Sequence, residues 1–199
     1  MNDTLFSSVP PLLEVLEQEC KDIGFTMPSD RHIGALLSNL IASKPGGHFL
    51  ELGTGIGLSL CWMIEGMDQN SYLYSIDNDP QLIDIAQGHF GKNTRVEIVC
   101  QDGGEWIKAY QGPGFDLIFA DAWPGKYFDL EETLDLIKPG GFYVIDDMLP
   151  ADDWPEGHAE KATVLITYLE EHPQFRVTKM SWSTGIIVAT KIADAPADS

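Results

Sequence analysis

The chain has 199 residues, enough for one domain with a sizeable core, and its 44% hydrophobic content is that of a globular protein. Its 31 acidic residues against 12 basic give a net charge of −19. Such a field repels a phosphate backbone, and no Lys/Arg cluster offsets it, so nucleic acid is not an expected partner.

In chain order, the first twenty residues lack the basic region and continuous apolar stretch of a secretory signal. No run of 18 apolar residues predicts a membrane span, so the expectation is a cytoplasmic protein with no membrane partner. A short amphipathic helix is predicted over 11–23. Ser29 is positioned to cap a second helix, in which Ile33, Leu36, Leu37, Leu40 and Ile41 recur at helical spacing. "HFLEL" (48–52) reads as a buried strand, Gly53, Gly55 and Gly57 lead into a helix over 58–66, and "SYLYSID" (71–77) is the next strand. Asp79-Pro80 suits the start of a helix over 80–90. A strand at 95–100, a short helix at 104–110, the strand "FDLIFAD" (115–121), a helix over 127–137 ended by "KPGG", and the strand "FYVID" (142–146) follow. A loop with Pro150, Trp154 and Pro155 then precedes a helix over 158–171. Strands 175–181 and 185–190, separated by Trp182-Ser183-Thr184, read as an antiparallel hairpin. Five βα units with short loops imply a parallel sheet covered on both faces, to which the hairpin adds an antiparallel strand.

Cys20, Cys61 and Cys100 form no C-x-x-C, so neither a disulfide framework nor a zinc ribbon is suggested; Cys61 and Cys100 are expected as small core residues. The five histidines, His32, His48, His89, His158 and His172, show no metal-ligand spacing and read as surface or helix-end residues.

In such a sheet, ligands bind beyond the carboxyl ends of the strands. The glycines of "LELGTGIGLSL" permit a tight turn and close approach of a ligand to the backbone. Asp77 ends the second strand, where a carboxylate can accept both ribose hydroxyls. The spacing is G-x-G-x-G rather than G-x-G-x-x-G, and Glu51 precedes it by two residues. A pyrophosphate would be repelled by Glu51, whereas an ammonium or sulfonium would be attracted, which tilts the reading away from NAD. Asp121 ends the fourth strand, and Asp146 and Asp147 end the fifth. Adjacent strand ends lie about 4.8 Å apart, so three carboxylates can converge. They could be solvated, act as a base or orienting group, or hold a hard cation such as Mg²⁺, Mn²⁺ or Ca²⁺.

"LELGTGIG", "SIDNDP", "QDGGEW", "FDLIFAD" and "IKPGGFYVIDD", in this order, resemble the class I S-adenosylmethionine-dependent methyltransferases, and the acidic sites resemble the catechol and caffeoyl-CoA O-methyltransferase branch. The resemblance implies an α/β, Rossmann-like, doubly wound single domain. Its mostly parallel seven-stranded sheet would have order 3-2-1-4-5-7-6 with strand 7 antiparallel. It implies a methyltransferase domain over 27–191, an N-terminal helical extension over 1–26 and a disordered tail over 192–199. The extension would cover the active site or contribute to a dimer; monomer and homodimer both remain open.

The resemblance places Glu51 and Gly53 beside the methionine part of S-adenosylmethionine, Asp77 on the ribose, and Asp102 and Gly103 at the adenine. Thr54, Gly55, Gly57, Ser59, Asn78 and Asp121 complete its cofactor set. Trp106 and Ile76 would pack on the adenine or in the core, and Asp102 would alternatively be a plain helix cap. Asp121, Asp146 and Asp147 are the implied divalent-metal ligands, with Asp147 where Asn is usual. The expected reaction is methyl transfer to a hydroxyl of a small molecule. Pro124 stands where the branch has the lysine assigned as general base. That leaves Lys126, with Asp121, as the catalytic candidates, although solvation is the commoner fate of such a lysine. Trp123 and Trp154 are candidate walls for a planar acceptor. The competing readings are an N-methyltransferase, a non-catalytic S-adenosylmethionine-binding module, and a nicotinamide dehydrogenase.

Overall fold

A computed structural model of the chain describes residues 6, 8–150, 154 and 157–193. Pro155 and most of the 192–199 segment, expected to be a disordered tail, lie outside the described residues. Two helices come first, α1 (Leu13–Ile23) and α2 (Arg31–Ala42). Strands and helices then alternate: β1 (His48–Leu52), α3 (Leu58–Gly66), β2 (Tyr72–Asp77), α4 (Pro80–Phe90), β3 (Val96–Cys100), α5 (Gly103–Ala109), β4 (Phe115–Ala120), α6 (Leu130–Asp135), β5 (Ile137–Ile145), α7 (His158–Glu171), β6 (Phe175–Met180) and β7 (Ile186–Lys191). The seven strands form one sheet of order β3-β2-β1-β4-β5-β7-β6. All pairings are parallel except β5 with β7 and β7 with β6. The fold is the α/β, Rossmann-like architecture expected from the sequence.

The central strands read as apolar runs because both their faces are covered. Phe49, Leu117 and Phe119 enter one core with Ile33, Leu37 and Trp62 from α2 and α3. Leu50, Leu52, Ile118 and Tyr143 enter the other with Trp106, Leu165 and Leu169 from α5 and α7. Helix α4 opens as expected, with Asp79 Oδ1 accepting the Gln81 amide at 2.8 Å and Pro80 in the first turn. Among the described residues no helix is long and apolar enough to cross a membrane.

Four local expectations are corrected. The cap of α2 is Asp30, whose Oδ1 accepts the His32 amide at 2.7 Å; the Ser29 hydroxyl turns instead toward Asp121 Oδ2, 3.4 Å away. The helix expected over 127–137 shrinks to Leu130–Asp135. The amides of Lys126, Tyr127 and Phe128 all point at the Trp123 carbonyl, and Asp129 is left-handed at φ 56°, so 123–129 is a compact loop. "KPGG" does not merely end that helix: it lies within β5, where a register shift between Phe115 and Leu117 takes up the glycines. Cys61 is buried as expected, but Cys100 is exposed, at the end of the edge strand β3.

Helices α2 and α3 meet at Gly34, where an added Cβ would lie 2.2 Å from Cδ1 of the buried Trp62. Ala is favoured over Gly inside a helix by roughly 0.5–1 kcal/mol, but forcing atoms into a packed core costs about 1–3 kcal/mol. Overpacking therefore wins, and Gly34→Ala should lower the urea-unfolding midpoint; a raised midpoint would mean that the indole moves aside freely.

Candidate active site

The carboxyl ends of β1, β2, β4 and β5 open onto one cleft of about 550 Å³, within the range of small-molecule sites. Its floor is the turn from β1 into α3. Gly53 at φ 104° and Gly57 at φ 101° take backbone conformations that disfavour other residues, and both are crowded. A Cβ on Gly53 would stand 3.1 Å from the Asp121 backbone, and one on Gly57 2.6 Å from the Phe90 ring. The Gly55 amide donates to Asp77 Oδ2 at 2.9 Å, and the Asp79 amide to Asp77 Oδ1 at 3.0 Å. Each Asp77 oxygen keeps a lone pair for a further donor. Beside this floor a narrower slot of about 70 Å³ runs between Leu52, Gly53, Ile76, Asp77, Asn78, Gly103 and Pro124.

Of the residues assigned to the cofactor, Gly53, Thr54, Gly55, Ser59, Asp77, Asn78 and Asp121 line the cleft, and Gly103 lines the slot. Gly57 caps α3 beneath them. Asp102 caps α5, accepting the Glu105 amide at 2.9 Å, and does not line the cleft or the slot. Trp106 is a core residue, stacked on Tyr110 and packed against Tyr74 and Phe115, whereas Ile76 lines the slot.

Glu51 is fully buried under the turn rather than open to the cleft. Its Oε2 accepts the Ser75 hydroxyl, which also meets Thr54 Oγ1 at 2.6 Å, and its Oε1 has no hydrogen-bonding partner among the described residues. Burial pushes its pKa up to about 7, against the lowering effect of the Ser59 and Ser75 hydroxyls.

Opposite the glycine turn stand Asp121, Asp146 and Asp147, with ligating oxygens all within 4.8 Å of one another. At an effective dielectric near 20 each charged pair at that spacing is repelled by about 3–4 kcal/mol. Burial, then repulsion from Asp146 and Asp147, raises the Asp121 pKa well above its ordinary value. Burial and Asp147 raise that of Asp146 to about 6, against the Thr184 hydroxyl and the Asp147 amide. Three carboxylate oxygens gathered this closely are hard ligands of the kind that a divalent cation takes, so the donor set fits such a cation.

Lys126 is not the solvated lysine expected. It is 2% exposed, lines the cleft, and holds Nζ 4.0 Å from Asp147 Oδ2. Burial lowers its pKa, and the three aspartates only partly oppose this. Trp123 and Trp154 line the cleft as expected. His158, read as a surface or helix-end residue, does begin α7 but is buried in the cleft wall. It stacks on Trp154 at 3.9 Å and sets Nε2 2.9 Å from Tyr127 Oη. No sequence signal marked it, because its partners come from two separate loops. The segment 25–30 and the turn residues Ser183 and Thr184 also line the cleft without a motif.

Residues 50–148 match the protein family described as "Methyltransferase domain". A relative from Mycobacterium avium (strain 104), whose name assigns it provisionally to the O-methyltransferases, is 30% identical over 67% of this chain. A similarly named relative from Mycobacterium marinum is 29% identical over the same share. The chain spans 62% of the length of each. Among solved structures, the O-methyltransferase from Bacillus cereus in complex with SAH superposes with a TM-score of 0.80 at 20% identity, covering 95% of this chain and 94% of that one. The O-methyltransferase TomG from Streptomyces achromogenes, in complex with SAM, gives 0.80 at 19%, covering 96% and 94%. At these identities the superpositions show the fold.

A folded-state pKa of about 7 for Glu51, against an ordinary 4.5, means that the folded protein binds the extra proton between those values. Stability is therefore lost as pH rises through that window, by about 3 kcal/mol for a shift of this size. Glu51→Gln, which cannot ionise, should match the wild type in urea unfolding at pH 4.5 and exceed it at pH 8. Equal stability at both pH values would contradict the buried, protonated carboxyl.

Proposed function

The chain belongs to the class I S-adenosylmethionine-dependent methyltransferases, and on that premise we propose that it transfers a methyl group to a hydroxyl of a small molecule with divalent-metal assistance. One observation carries this reading: a single cleft joins the glycine turn and Asp77 to the three aspartates and Lys126. The O-methyltransferase names of the mycobacterial relatives support the hydroxyl acceptor, and the SAH- and SAM-bound neighbours support the cofactor. S-Adenosylmethionine, when bound, supplies an activated methyl, and a divalent cation, when bound, lowers the pKa of a coordinated hydroxyl.

The chain's own residues do the rest. Asp77 offers its free lone pairs to ribose hydroxyls, and the slot beside it, with Ile76 and Pro124 as apolar walls, takes a flat ring. Gly53 lets a ligand close on the backbone. Asp121, Asp146 and Asp147 would hold the cation on the far side, so that the acceptor oxygen lies between them and the glycine turn. Holding two reactants in line is worth several kcal/mol of barrier. Lys126, its pKa lowered by burial, can take the acceptor's proton at Nζ. This amine in the cleft speaks for a catalyst over a non-catalytic binding module despite Pro124. Trp123, Trp154 and His158 form an aromatic wall that excludes water from the acceptor.

Two outcomes test the assignments. Asp77→Ala should weaken S-adenosylhomocysteine in calorimetry by about 10-fold or more, the effect of removing a charged hydrogen-bond acceptor, while Asp146→Ala leaves that affinity unchanged. Unaltered binding by Asp77→Ala would remove it from the ribose site. With hydroxylated aromatics as acceptors, Lys126→Met should lower kcat by about 10²–10⁴ and Asp146→Ala should abolish Mg²⁺-dependent turnover. Full wild-type turnover in excess chelator would sink the metal assignment.

A further inference from the structure

The hairpin turn between β6 and β7 lies outside every motif, yet it reaches the cleft. Its Thr184 hydroxyl donates to Asp146 Oδ1 at 2.7 Å, and the same oxygen accepts the Asp147 amide at 2.7 Å. Asp146 is 3% exposed, so water does not compete for these bonds. Two donors fill the lone-pair positions of Oδ1, which leaves Oδ2 as the oxygen available to the cleft. The other two aspartates are held less firmly: Asp121 has Ser29 Oγ at 3.4 Å, and Asp147 has Lys126 Nζ at 4.0 Å.

Thr184 is itself held in place. The Leu149 amide donates to the Thr184 carbonyl at 2.7 Å, and the Met148 amide to the Gly185 carbonyl at 3.0 Å. Gly185 sits at φ 86°, and a Cβ there would lie 2.6 Å from the Leu149 nitrogen, so turn and loop are in close contact. On the other side Asp147 bends away at φ 58°, a conformation that Asp tolerates better than most residues. The segment after β5 is thus tied to the hairpin by two backbone bonds and one side-chain bond.

We propose that Thr184 is a positioning residue for the cation site: its hydroxyl fixes Asp146 so that a single oxygen faces Asp121 and Asp147. The proposal rests on reading the three aspartates as that site. Backbone bonds hold the hairpin to the loop, so loss of the hydroxyl alone leaves the packing intact while Asp146 loses one of its two restraints. Outer-sphere partners of this kind typically change metal affinity by about 10–100-fold when removed.

The test is Mn²⁺ titration of the metal-stripped full chain, followed by electron paramagnetic resonance, for wild type, Thr184→Val, Thr184→Ser and Asp146→Ala, with S-adenosylhomocysteine calorimetry on each. The expected result is that Thr184→Val binds Mn²⁺ about 10–100-fold more weakly, Thr184→Ser keeps the wild-type affinity, and nucleoside binding is the same in all four. If Thr184→Val keeps wild-type affinity while Asp146→Ala loses it, the cation site stands and the role of Thr184 is overturned. If Thr184→Ser is weakened as much as Thr184→Val, the hydroxyl is not what matters and the proposal fails. If wild type and Asp146→Ala cannot be told apart, the cation reading and this proposal fall together.

Discussion

Parallel register is the constraint on which the rest of the molecule depends. Ile76, Leu52, Ala120 and Ile145 stand side by side in β2, β1, β4 and β5. The next residue along each is Asp77, Gly53, Asp121 or Asp146, so three carboxylates and a glycine are delivered to one edge in one row. The ladder continues one step beyond the strands. The Gly53 amide donates to the Ile76 carbonyl at 2.9 Å, Asp121 to Leu52 at 2.9 Å, and Asp146 to Ala120 at 3.3 Å. The backbone of these four positions therefore belongs to the sheet, and the loops add Asp147, Lys126 and Thr184 to the same cleft. A strand slip of one residue would turn each of these side chains to the opposite face.

That placement has an electrostatic cost. Three carboxylates and a buried Glu51 gather in a chain whose net charge is already −19. The protein answers in different ways. Burial pushes Glu51 toward its neutral form, with the Ser75 hydroxyl donating to its Oε2. Asp146 is bound by Thr184 and a backbone amide, and the Lys126 side-chain nitrogen stands beside Asp121 and Asp147. One lysine does not balance three carboxylates, which is why a further cation or a shared proton belongs to the reading of this cleft.

How much was legible in the sequence follows from how local each signal is. The strand and helix order could be read because the periodicities are local and the central strands are apolar on both faces. The glycine turn, Asp77 and the three aspartates could be placed because each closes a strand, and parallel topology then brings strand ends together. What escaped depends on contacts distant in sequence. Thr184 acts on a residue 38 positions earlier. His158 meets Tyr127 31 positions away. Asp30 rather than Ser29 capped α2 because two neighbouring residues with capping side chains compete, and Ser29 had Asp121 to face.

Lys126 shows the same limit most sharply. With Pro124 in the lysine's usual place, counting along the sequence left an amine two residues too late and apparently on the surface. The loop geometry nonetheless brings that amine to the cleft. Gly125 takes a positive φ of 77°, three following amides fold onto the Trp123 carbonyl, and the buried Tyr143 hydroxyl donates to the Gly125 carbonyl from β5. This compact turn carries position 126 back toward the sheet edge, while Pro124 is freed to wall the narrow slot against Gly103. A motif written as spacing along the chain does not register where such a turn places a side chain. The hydrogen bond from Tyr143 pins this turn to β5.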